Sequence, residues 1–153
     1  DRLVVVATSD EILIANQNNI NEVKSIFDKF EAQGHNKEHP NTKVYRPWGW
    51  YESIEYGKNF QVKKLHVKSG ARLSLQKHYK RAEHWVVVSG VATVHIENET
   101  FILNEGQSTH INIGVVHSLE NNTDKILEVI EVQNGLYLGE DDIKRFEDIY
   151  GRN

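Results

Sequence analysis

The 153-residue chain contains no cysteine. Disulfides, thiolate zinc sites and cysteine nucleophiles are therefore excluded outright. It contains no methionine either and begins at Asp1, so it reads as a fragment of a longer chain. No apolar run approaches the roughly 18 residues a helix needs to span a bilayer, and no signal-peptide pattern opens the chain. No block of like charge occurs. The 18 basic and 22 acidic side chains leave a net charge of −4, which favours neither nucleic acid nor an acidic membrane surface as partner. Repeats and low-complexity segments are also missing. What remains is one soluble, cytoplasmic globular domain with a short appendage.

The chain opens with two β-branched runs, Leu3–Val6 and Ile12–Ala15, around the turn residues Thr8-Ser9-Asp10, a strand-pair pattern. Ile20, Val23, Ile26, Phe27 and Phe30 then recur at helical spacing, with Asn18 or Asn19 as cap and Gly34 as stop. This piece is too small for its own core. Residues 34–43, GHNKEHPNTK, read as a polar linker. His35 and His39 in it are solvated neighbours of Pro40 rather than metal ligands.

From Tyr45 the texture turns to strands. Trp50–Tyr56, Phe60–Val67, Ala71–His78, Trp85–Ser89, Val91–Glu97, Thr100–Leu103, Ser108–Ile113, Ser118–Asn121 and Ile126–Gln133 are short and β-rich, with Gly and Asn between them. Many short strands with regular turns predict an all-β barrel or sandwich. Alternation fails at Lys63-Lys64, where a bulge is expected. Glu140–Tyr150 is predicted helical: acids fill its first turn, and Ile143, Phe146, Ile149 and Tyr150 share a face. Trp48, Trp50 and Trp85 read as core or interface residues rather than sugar-stacking platforms.

Two stretches carry chemistry. In residues 70–90, Gln76 and His78 are two apart, so on a strand they project from one face. Glu83 follows after a polar turn. An amide oxygen, an imidazole and a carboxylate converging on one point suit a divalent metal such as zinc, iron, manganese or cobalt. In residues 106–121 His117 is the natural fourth ligand. A polar face inside a barrel needs such a purpose, because unpaired buried polar groups are costly. By alternation Lys77 and His84 face away from the metal.

The spacing Gly70-x5-Gln76-x-His78-x4-Glu83-x6-Gly90, followed by Gly106-x5-Asn112-x-Gly114-x2-His117-x3-Asn121, closely resembles the two motifs of the cupin superfamily. Gln76 and Asn112 stand where the commonest pattern has His and Pro. The resemblance implies a mainly β fold: a cupin-type small β-barrel (jelly roll) with the metal in its mouth, here with an N-terminal strand-helix appendage and a C-terminal helix.

KVYRPWGWYESI, FQVKKLHVKSGARLSLQKHYKRAEHWVVVSGVA and IEVQNGLYLGEDDIKRFEDIYGR further resemble the C-terminal domain of bifunctional mannose-1-phosphate guanylyltransferase/mannose-6-phosphate isomerase proteins, the type II phosphomannose isomerases. The resemblance divides the chain into the tail of a preceding guanylyltransferase domain (1–33), a linker (34–43) and a cupin isomerase domain (44–153). It implies metal-dependent interconversion of mannose 6-phosphate and fructose 6-phosphate through a cis-enediol, feeding GDP-mannose synthesis. The implied metal set is Gln76, His78, Glu83 and His117, with zinc the expected ion. Arg81 and Glu83 are the implied catalytic pair, Arg81 contacting substrate or the developing enediolate. Arg46, Arg145 and Arg152 are phosphate candidates. The implied partners are a small sugar phosphate, a second copy in a homodimer, and the absent nucleotidyltransferase domain. A second reading makes the domain a catalytically weak module for dimerisation or regulation. It draws on Tyr79-Lys80, where many members have His, and on Ser118, where many have Arg.

Overall fold

A computed structural model describes residues 2–7, 12–32 and 43–147. The chain divides into two compact units, Asp1–Thr42 and Lys43–Asn153. In the first, β1 (Leu3–Ala7) pairs antiparallel with β2 (Ile12–Asn16). A 3-10 turn, Gln17–Glu22, leads into α1 (Val23–Ala32). The Asn16 side chain accepts the Asn18 N–H at 3.0 Å, so the first turn is capped two residues earlier than the sequence predicts. The predicted helix stop at Gly34 and the linker up to Thr42 lie outside the described residues.

Among its described residues the second unit is built from eleven strands in two antiparallel sheets. Its strands are β3 (Lys43–Arg46), β4 (Gly49–Tyr56), β5 (Phe60–Val67), β6 (Leu75–His78), β7 (Arg81–Ser89), β8 (Ala92–Ile96), β9 (Glu99–Leu103), β10 (Ser108–Ile111), β11 (His117–Glu120), β12 (Leu127–Gly135) and β13 (Ile143–Glu147). One sheet runs β10-β7-β12-β5-β4-β3 and the other β13-β6-β11-β8-β9. Among the described residues no strand pairing joins the two sheets. The fold is a two-sheet sandwich, one of the two all-β forms the strand pattern predicts, and no closed barrel occurs among the described residues. Its core includes Tyr51, Leu65, Trp85, Val94, Leu119 and Val129, each at most 4% exposed.

The three central strands of the larger sheet share one pattern. On β5 the buried residues are Val67, Leu65, Lys63 and Gln61; on β7 they are Val87, Trp85, Glu83 and Arg81; on β12 they are Leu127, Val129, Glu131 and Gln133. Each inner face is apolar at one end and polar at the other. The registers Glu131↔Lys63 and Gln133↔Glu83 bring the polar ends level. Half of the interior is thus oily, and half is a polar floor.

Three sequence expectations change here. Glu140–Tyr150 is not a helix: a 3-10 turn, Glu140–Asp142, leads into β13, which pairs with β6, and residues 148–150 lie outside the described part. The helical spacing of Ile143 and Phe146 is outweighed by the edge of β6, whose backbone groups need a partner. The bulge falls on β4, between Ser53 and Glu55, rather than on β5. Alternation on β5 is in fact unbroken, and Lys63 points inward. Finally, the strand predicted over Ala71–His78 is regular only over Leu75–His78. Gly49 closes the RPWG turn, where a Cβ would overlap the His66 carbonyl oxygen. Among the described residues no helix is long and apolar enough to cross a membrane.

Candidate metal centre and cavity

His78 ends β6, Glu83 lies on the inner face of β7, and His117 begins β11; each is about 1% exposed. One ligand atom from each lies within 4.8 Å of the others. His78 Nε2 is 3.0 Å from Glu83 Oε1, and His117 Nε2 is 3.5 Å from Glu83 Oε2. The other ring nitrogens face backbone carbonyls: His78 Nδ1 is 3.1 Å from Asp142 O, and His117 Nδ1 is 2.9 Å from Val115 O. A carbonyl can only accept, so each Nδ1 carries the proton. The Nε2 atom of each neutral ring then aims a lone pair at a carboxylate. His78 Nε2, His117 Nε2 and Glu83 Oε2 are buried and have no hydrogen-bond partner among the described residues. Lone pairs crowded together in this way require a proton or a cation between them. Two imidazoles and a carboxylate are a donor set for a divalent transition metal, with Nδ1–H held by carbonyls as metal-binding histidines require.

Charge follows the same geometry. Burial alone would raise the Glu83 carboxyl, but the facing His117 and His78 outweigh it and hold the group well below the usual carboxylate range. Burial would likewise lower His117, yet Glu83 raises it above the ordinary imidazole value.

Gln76 stands opposite His117 across the β6–β11 pair. Its Oε1 accepts from Ser74 Oγ at 3.0 Å. Gln76 and Glu83 form part of the wall of a cavity of ≈ 60 Å³. Of the predicted site residues, Arg46, Arg81 and Arg145 also line this cavity, while Arg152 lies outside the described residues. Arg81 is 2% exposed. Its Nε donates to Glu83 Oε1 at 3.3 Å, and its Nη1 donates to the carbonyls of Leu138 at 3.3 Å and Gly139 at 3.2 Å.

The polar wall residues that sequence reasoning missed include Lys63, Glu131, Gln133 and Glu140. Lys63 Nζ, with its side chain 4% exposed, sits 2.6 Å from Glu140 Oε1 and 4.6 Å from the Tyr51 ring centroid. Glu131 accepts from Trp85 Nε1 at 2.9 Å and from Gln133 Nε2 at 2.7 Å. The same Gln133 amide donates to Glu83 Oε1 at 3.1 Å. The signal for Lys63 was present: a lysine in step with Leu65 and Val67 must share their buried face.

The segment Leu138–Asp142 acts as a strap. Its carbonyls hold Arg81 and His78, and Glu140 pairs with Lys63. The Asp142 carboxylate accepts the backbone N–H groups of Tyr79 at 3.2 Å and Lys80 at 3.0 Å, which fixes the β6–β7 turn between two metal-type ligands. Tyr79, Lys80, Ser118 and Asn112 lie off the cavity wall. Tyr79 is 53% exposed and Lys80 Nζ lies 4.4 Å over the Tyr137 ring. Ser118 Oγ donates to Leu73 O at 2.8 Å, and Asn112 Oδ1 is 3.1 Å from His110 Nε2. His84 lies 6.0 Å from the His110 ring, away from the centre.

The fold and the site together define a class: a cupin-type β-sandwich with an imidazole–carboxylate centre at its polar end. The solved oxalate decarboxylase of Bacillus subtilis superposes with a TM-score of 0.61 at 22% identity, over 69% of this chain and 30% of that one. The KdgF structure from Halomonas sp. gives 0.59 at 18% identity, over 69% and 93%. The Schizosaccharomyces pombe Cnp3 cupin domain gives 0.53 at 15% identity, over 56% and 64%. At these identities the likeness shows the fold alone. A family model described as mannose-6-phosphate isomerase C-terminal matches residues 33–148, and the chain belongs to that family. It is 53% identical to the alginate biosynthesis protein AlgA of Pseudomonas aeruginosa, over 98% of this chain and 31% of that protein. It is 52% identical to the xanthan biosynthesis protein XanB of Xanthomonas campestris, over 99% and 32%. It is 49% identical to a mannose-1-phosphate guanylyltransferase of Salmonella montevideo, over 99% and 32%. The chain thus spans about a third of the length of these relatives.

Proposed function

We propose that the second unit is a metal-dependent isomerase that interconverts mannose 6-phosphate and fructose 6-phosphate. The observation that carries this reading is the buried cluster His78, Glu83 and His117, in which both Nε2 atoms and Glu83 Oε2 lack hydrogen-bond partners among the described residues, set against a polar cavity in a chain of this family. We assign the metal to these three residues with Gln76 beside them, and zinc is the ion their chemistry favours. When bound, it would polarise the sugar's carbonyl oxygen. The chain's own residues do the rest. Arg46 and Arg145 supply the positive charge a phosphate requires. Arg81, fixed by two carbonyls and Glu83, presents a guanidinium where an enediolate would develop. Glu83, facing two imidazoles, serves as ligand rather than as base.

We also infer that residues 1–33 are the tail of a guanylyltransferase domain and residues 34–43 a linker, so that guanylyl transfer belongs to sequence outside this chain. The rival reading, a catalytically weak module, drew on Tyr79, Lys80 and Ser118. Their placement off the cavity wall favours the isomerase. The test is turnover of mannose 6-phosphate by this chain with and without added divalent metal. Metal-dependent turnover is expected. A chain that keeps its β-sheet spectrum, takes up metal and yields no fructose 6-phosphate overturns the reading.

A further inference from the structure

The cavity wall holds three carboxylates. Glu83 is committed to two imidazoles and Arg81, and Glu140 is held by the Lys63 ammonium. Among the described residues, the hydrogen bonds to Glu131 come from neutral donors, the Trp85 indole on Oε2 and the Gln133 amide on Oε1. It is 5% exposed and sits on the inner face of β12, level with Lys63. An indole N–H donates and cannot take up a proton, so Trp85 fixes the carboxyl without competing for its proton. Each carboxylate oxygen keeps a further lone pair.

We propose that Glu131 is the catalytic acid–base residue that carries the proton between C1 and C2 of the sugar phosphate. The assignment rests on the isomerase reading above. In the aldose-to-ketose direction the Glu131 carboxylate takes the C2 proton. The C–H electron pair becomes the C1=C2 double bond, and the carbonyl π pair moves to O1. The hydroxyl proton passes from O2 to O1. The O2 electron pair then forms the C2 carbonyl, and the double-bond pair takes the proton back from Glu131 at C1. One proton leaves and returns, and no co-reactant is consumed. Burial and the neighbouring Glu83 charge push the Glu131 carboxyl up to about 8, into the range suited to proton exchange near neutral pH. A cation held by Glu83 would offset part of that repulsion.

The test uses the metal-loaded chain and mannose 6-phosphate in deuterium oxide, with turnover and deuterium incorporation at sugar C1 and C2 followed by NMR. E131Q should lose both by 10²- to 10⁴-fold, the span of general acid–base contributions, and E131D should recover part of each. Metal stoichiometry in both variants should match the parent. An active parent with E131Q turning over within tenfold of it overturns the assignment and leaves the isomerase reading standing. A metal-loaded parent with neither turnover nor exchange overturns both. A second measurement needs no variant. Parent enzyme given mannose 6-phosphate labelled with deuterium at C2, in ordinary water, should deliver part of that label to C1 of the product, because the carrier is buried. Complete loss of the label to water would place the proton on a solvent-open group and overturn the assignment.

Discussion

Asp142→Ala separates the strap's role at the metal centre from simple stability. The Asp142 carboxylate, 7% exposed, accepts two backbone N–H groups from the β6–β7 turn, and its carbonyl faces His78 Nδ1. Hydrogen bonds to a charged group contribute about 1.5–3 kcal/mol each. Tyr79 and Lys80 are exposed, so water replaces part of the loss, and the pair together is worth ~3 kcal/mol. For a chain of this size that lowers Tm by roughly 6–12 °C. Once the turn loosens, the carbonyl no longer fixes the His78 ring, and losing such an orienting partner weakens metal binding by about 10- to 100-fold. Thermal melts of metal-free protein and competitive zinc titrations read the two effects separately. A variant with the expected Tm drop but zinc affinity within twofold of the parent would refute the claim that this strap orients His78.

His78→Ala should abolish stoichiometric zinc uptake, measured by metal analysis after gel filtration; full occupancy would refute its place as ligand. The Lys63–Glu140 pair should show asymmetric costs in urea unfolding. Glu140→Gln strands an ammonium 4% exposed, whereas Lys63→Met leaves a carboxylate 39% exposed, so Glu140→Gln should be the worse by about 1–3 kcal/mol; equal losses would refute the argument. Metal-free stability should be highest near pH ~4.5 and fall on either side of it. The lowered Glu83 contributes above its unfolded value of 4.5 and loses that contribution as pH falls through its folded value. The raised His117 contributes below its unfolded value of 6.5 and loses that as pH rises through its folded value, while Glu131, raised from 4.5 to about 8, adds a decline that runs from pH 4.5 to about 8. Urea midpoints at pH 5.5 and 8.5 in chelator test this, and a higher midpoint at pH 8.5 would refute the sign.

The strands and three of the metal-type residues were legible because their signals are local. Gly and Asn punctuate the turns, and Glu83 is in step with Trp85 and Val87 on one strand. The tail was not legible. Ile143, Phe146, Ile149 and Tyr150 have a helical period, but β6 needs a partner, and that need appears only when the sheet is assembled. Lys63 and Glu131 were missed for a different reason. Lys63-Lys64 reads as a break in alternation, and Glu131 carries no motif of its own, whereas alternation with Leu65 and Val129 continues unbroken and puts both inside.

Burying Lys63, Arg81, Glu83 and Glu131 together is a poor route to stability, since desolvating each charge offsets much of the attraction among them. An apolar interior of the same volume would fold at least as well. The polar layer is also not spread at random: it occupies one end of three adjacent strands, and Lys63, Arg81, Glu83, Glu131 and Gln133 line the cavity. Side chains hold most of it, but backbone orients Arg81 and the two histidines beside it. Carbonyls of Leu138, Gly139, Asp142 and Val115 orient Arg81, His78 and His117. Side-chain substitution at Leu138 or Val115 would leave those carbonyls in place. Alanine scanning should therefore understate the strap, while a one-residue insertion near Gly139 displaces its carbonyl contacts to Arg81 and His78 together.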